Sequence, residues 1–263
     1  MKNITFDTTS FSEQLGLYDF FNVLLAGTIF VYGCGTVSTR INSFLWDNMS
    51  FAKGLGLILM IYIIGMALQE LGSLADRYCF KIYKGMNQSI LKGTLGKNYK
   101  EKTTNKIISN PILLDRYRKS ADMLIKEFIS EKDSDRFENK YVSGFIFSMC
   151  QYYVSVKGND KKVEKLRSLF AMSKTLIVCF IALAIFAAFS IVFMPDNSLI
   201  PNLTFMSCEQ CSGKMLLLII FLLISLVFYF RARRTMRNFL LILLGTYDAL
   251  TRAEENEPKS AEV

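Results

Sequence analysis

SKTLIVCFIALAIFAAFSIVFM, residues 173–194, carries no charge after Lys174. A helix of this length and character is long enough to cross the ~30 Å hydrocarbon layer of a bilayer. A basic, helix-patterned segment, KKVEKLRSLFAM, leads into it from Lys161. With no proline or glycine between Lys161 and Met194, the simplest reading is one long helix, its first part in water and its second in lipid. Such a helix is suited to couple an event in solution to a movement in the membrane.

Three more apolar runs flank this one. Phe20 to about Ser38 is expected as the first span and holds Gly27, Gly33 and Gly35, small residues that let helices approach closely in lipid. Thr39–Lys53 is a short connection whose Trp46 suits an interfacial anchor. Gly54–Leu68 is the second span, with Gln69 and Glu70 extending it to the interface. Lys214–Phe230 is the fourth, ending at the cluster Arg231, Arg233, Arg234 and Arg237. The apolar segment after the arginines, interrupted by Gly245, reads as a separate amphipathic docking helix, followed by a polar tail. The expected architecture is all-α. It has a transmembrane pair in 1–72, a basic helical domain in 73–172, a second pair in 173–230, and a basic amphipathic helix and tail in 231–263.

The inserted region has a helix-like segment from Pro111, with Leu114, Tyr117, Ala121, Leu124 and Phe128 at helical spacing. Phe137–Val156 reads as a buried soluble helix rather than a span, since it is interrupted by Lys140 and Gly144 and holds several tyrosines. Lys157-Gly158-Asn159 is a helix stop.

Charge sets the expected orientation. In 73–172, Lys and Arg outnumber Asp and Glu twenty to eleven, whereas the connection from Pro195 to Gly213 has no Lys or Arg. The positive-inside rule puts the large region and both termini of this multi-pass protein in the cytoplasm. The start has Lys2 as its sole basic residue and carries Asp7, Glu13 and Asp19. It does not read as a signal peptide, so the first span is retained.

The 263 residues include no histidine. This removes the commonest general base and the commonest transition-metal ligand, and with them Ser-His and Cys-His nucleophiles. No Walker motif or paired dinucleotide glycines are present. The expectation is therefore a non-enzyme with no cofactor and no metal. Cys208 and Cys211, in the expected external loop, read as a structural disulfide, with a redox pair or half a metal site as the alternatives. Two basic clusters, Arg116/Arg118/Lys119 and Lys161/Lys162/Lys165/Arg167, are candidates to bind an anionic ligand such as a nucleotide or DNA oligomer. Tyr117, Tyr152 and Tyr153 offer faces on which bases could stack. The plain alternative is the ordinary basic excess of a cytoplasmic membrane domain, touching anionic lipid. Asp19, Gly27 and Glu70 are candidates for a pore or gate, because ionisable residues near a span are costly and often functional.

LGLYDFFNVLLAGTIF at residues 15–30 and YYVSVKGNDKKVEKLRSLFAMSKTL at residues 152–176 resemble a group of small bacterial membrane proteins. In that group a soluble helical insert feeds a long helix into the third span. It includes membrane effectors of anti-phage defence, among them the channel subunit of the Hailong system. Many relatives carry a proline before the first-span glycine, where this chain has Ala26. The resemblance implies a homo-oligomer, a tetramer, forming an ion channel that depolarises the membrane when open. It also implies gating by short DNA oligomers from a partner nucleotidyltransferase. A non-conducting sensor or scaffold and a thiol redox protein using Cys208 and Cys211 are the alternatives.

Overall fold

A computed structural model describes residues 17–47, 50–83, 140–158, 161–193 and 209–256. Every regular element among them is helical. In chain order these are α1 (Leu17–Val37), α2 (Thr39–Trp46), α3 (Phe51–Ala75, followed by a π turn at Asp76–Phe80), α4 (Lys140–Val156), α5 (Lys161–Phe193) and α6 (Glu209–Asn256). Three helical stretches are long and apolar enough to cross a membrane: Phe51–Phe80, Lys161–Phe193 and Gly213–Glu254. The apolar part of α1, Asn22–Val37, is shorter.

The residues separate into two compact units, one of Met1–Cys79 with Ser168–Ala232 and one of Phe80–Arg167 with Arg233–Val263. In the first, α5 is the hub. Of its apolar window 44% is buried, against 17% and 22% for the other two long apolar helices, so those present most of their surface outward. Leu176, Cys179, Leu183 and Ala187 of α5 are fully or almost fully buried, together with Ala26 of α1, Leu68 of α3 and Phe221 of α6. The Phe180 and Phe228 rings stack at 5.8 Å. Polar tethers join the same helices: Asn22 donates to the Ser168 hydroxyl (3.0 Å), and Ser225 donates to the Ile177 carbonyl (3.4 Å).

Glycine sets the crossing of α1 and α3. A Cβ on Gly27 would overlap the Ile61 carbonyl, and one on Gly65 would overlap the Val23 carbonyl. The two backbones therefore touch directly, the close approach that small residues permit where lipid supplies no hydrophobic drive between helices. Farther along α3, Gly72 lies against the α5 backbone at Lys174–Thr175.

In the second unit, α4 buries Ile146, Phe147, Cys150 and Val154, and α6 buries Met236, Leu240, Leu243 and Tyr247. Both sets recur at three- and four-residue steps, a single apolar stripe along each helix. The helices meet where Tyr153 and Tyr247 pack edge to face at 5.2 Å. Glu254 there accepts a hydrogen bond from Tyr153 and pairs with Lys157. Gly158, at φ +68°, ends α4 in the left-handed conformation that glycine adopts freely.

Two expectations change. The arginines after Phe230 do not end a helix: α6 runs unbroken through Arg231, Arg233, Arg234, Arg237 and Gly245. Arginine is a good helix former, and one interior glycine costs only about 1 kcal/mol, which a well-buried apolar face offsets. The connection after the first helix is also ordered in part. Ser38 takes an extended conformation, α2 follows, and Trp46 packs on Tyr32 at 5.1 Å. Ser50 then caps α3, its hydroxyl accepting from the Lys53 backbone N–H (3.3 Å).

Candidate functional site

The basic face at the start of α5 comes from helical spacing. Lys165 stands four positions after Lys161 and three after Lys162, and the three share one side of the helix. Arg167 projects to another side, and all four are exposed. The helix N-terminus adds its own partial positive charge to the first turn. This face can attract anions and phosphate groups. The Arg116, Arg118 and Lys119 cluster lies outside the described residues, so nothing places it beside this one.

Thirteen positions along the same helix, Lys174 forms a different kind of site. Its ammonium is 3.7 Å from the Asp76 carboxylate, and both side chains are largely buried. It also lies over the Phe170 ring at 4.8 Å. Asp76 opens the π turn that ends α3, and Lys81 after it has φ +51°, a left-handed conformation uncommon for a side chain this bulky. A charged tie between two apolar helices and a locally rewound backbone therefore coincide. Sequence reasoning did not link Asp76 to Lys174. The available signal was Lys174 alone, the last charge before the long apolar run of α5.

The pore candidates have separate positions. Gly27 is taken up by the α1–α3 crossing. Glu70 is exposed on α3, on the side opposite Gly65, Leu68 and Gly72. Asp19 lies in the first turn of α1, outside the described side chains. At the other end of the first unit Lys214 is buried to 3% exposure and donates to the Ser190 carbonyl (3.2 Å) in the last turn of α5. Among the described residues the Ser190 hydroxyl beside it has no hydrogen-bond partner. Sequence reasoning took Lys214 as the mere start of a span.

The thiols divide by surroundings. Cys208 is outside the described residues, and Cys211 lies in the first turn of α6 without a described side chain, so their pairing is open. Cys150, in the core of α4, has its thiol pushed up to about 12 by burial and is unreactive at neutral pH. Among the described residues no group of three His, Cys, Asp or Glu side chains could hold a metal ion. Comparison with family models, with curated proteins and with solved structures finds no match to this chain.

Proposed function

We propose that this protein is a self-assembling ion channel of a bacterial inner membrane, an effector of anti-phage defence. A nucleotide or short DNA oligomer bound at its basic cytoplasmic face sets the open fraction. The observation that carries this reading is the continuity of α5 from Lys161 to Phe193. One continuous helix joins an anion-attracting face to the most apolar span, which offers a shift at one end a direct path to the other.

A four-span arrangement, with α1 as the first span, gives the basic segments and both termini to the cytoplasm under the positive-inside rule. Spacing along the helix favours a dissolved ligand over lipid. Lys161 is thirteen positions before Lys174, about 20 Å along the axis. The headgroup layer on one side of a bilayer is only about 5–8 Å deep. For an upright helix with Lys174 at the boundary, Lys161 and Lys165 stand beyond the lipid headgroups.

A ligand gates only through a difference in affinity between open and closed states. Purified protein in a planar bilayer should therefore show discrete currents altered by short DNA oligomers. Lys161→Glu with Lys165→Glu should conduct and lose the response. Currents indifferent to oligomers would remove the ligand. A silent bilayer, with protein shown to be folded and inserted, would remove the channel and leave a scaffold or redox role.

A further inference from the structure

The charges on α3 and its neighbour in the first unit obey one rule, with one exception. Side chains on a helix tilt toward its N-terminus. Lys53, near the N-terminal end of α3, thus leans out of the apolar segment, and its ammonium reaches the Asp47 carbonyl and the Phe44 ring. Lys174 leans out of the apolar part of α5 in the same way and meets Asp76, which lies past the end of that layer. Lys53 and Gly72, the latter level with Lys174, therefore bracket the apolar layer. They are separated by about 30 Å of helix, the thickness of the hydrocarbon core.

Glu70 falls inside that bracket. It is near the C-terminal end of the apolar part of α3, so its side chain leans inward, toward the middle of the layer. It is exposed, and no described residue gives it a hydrogen bond or an ion pair. Its neighbours on the face, Ile63, Met66 and Leu74, are exposed as well. By the helix rise Glu70 lies about 3 Å inside the edge of the layer rather than at the interface, and carboxylates within the apolar layer are rare and face protein or a water-filled cavity rather than lipid tails.

We infer that the Glu70 face of α3 turns toward further copies of this chain around a shared water-filled path, where the repeated Glu70 carboxylates select for inorganic cations. This rests on the channel reading and adds its selectivity. Rings of acidic side chains are a standard means of passing cations and rejecting anions. The small residues Gly56 and Ala67 on the same side of α3 leave room for copies to approach one another.

The test is the reversal potential in a planar bilayer under a potassium chloride gradient, for the wild type, Glu70→Gln and Glu70→Lys. The wild type should prefer potassium over chloride. Glu70→Gln, which keeps size and removes charge, should lower that preference several-fold. Glu70→Lys should reverse it. Conducting protein whose selectivity is the same in all three would overturn the inference and leave the channel reading standing. A silent wild type would overturn both. Should Glu70→Lys fail to fold, Glu70→Gln alone decides the matter.

Discussion

Gly65 is the residue on which the α1–α3 crossing turns. Gly65→Val would drive a side chain into the Val23 backbone, and overpacking of this kind costs about 1–3 kcal/mol. Gly54→Ala, on the same helix with nothing within 4 Å, should leave thermal stability in detergent unchanged or slightly raised. Equal melting temperatures for the two variants would contradict the crossing. Glu254 allows a test by pH. The hydrogen bonds from Lys157 and then Tyr153 hold its carboxyl below the usual 4.5. Because the folded state lowers this pKa, the contact is fully present above 4.5 and is lost as pH falls through the lower folded value. Hydrogen-exchange protection of the last turns of α6, corrected for intrinsic rates, should fall across that window. In Glu254→Gln it should be flat. At this scale the sequence made glycine packing legible, since small residues in an apolar run have few other uses. It did not reveal Lys214 or the Asp76–Lys174 tie, because a charge at the end of a span looks the same whether it snorkels outward or is folded inward.

Among elements, α6 is the one whose extent departs most from its pattern. A cluster of arginines after seventeen mostly apolar residues reads as a boundary of environment and, on pattern alone, as a boundary of the helix too. The two are different quantities: hydropathy changes at Phe230, while backbone conformation does not. Thr235→Pro should therefore destabilise the protein by about 3 kcal/mol, since it removes an interior hydrogen bond and clashes with the preceding turn. Two helices hinged at this point would tolerate the proline, and thermal unfolding followed by circular dichroism distinguishes the cases. The limits of α5 were legible for the converse reason. Between Lys161 and Met194 there is no glycine or proline, so nothing local competes with helix even as the surroundings change from polar to apolar.

At the scale of the whole molecule, two helices, α5 and α6, belong to both compact units. A signal received in one unit has a covalent, helical route into the other, and the proposed gating needs no further element. The apolar lengths and the large basic insert were plain in the sequence because membrane segments and positive charge are compositional. The candidate site was legible only in part. Lys161, Lys162 and Lys165 share a face by simple periodicity, whereas the position of Glu70 relative to the apolar layer depends on where Gly72 and Lys174 meet. That contact joins residues about a hundred positions apart and has no local signature.

The Lys214–Ser190 contact bears on how the chain is made. A lysine at the head of an apolar segment resists entering a bilayer alone, because its ammonium must shed water. Synthesis runs from N- to C-terminus, so the carbonyl that receives Lys214 has left the ribosome before Lys214 does. The two segments are thus fitted to enter as a hairpin, the earlier one supplying at birth the acceptor that makes the later one acceptable.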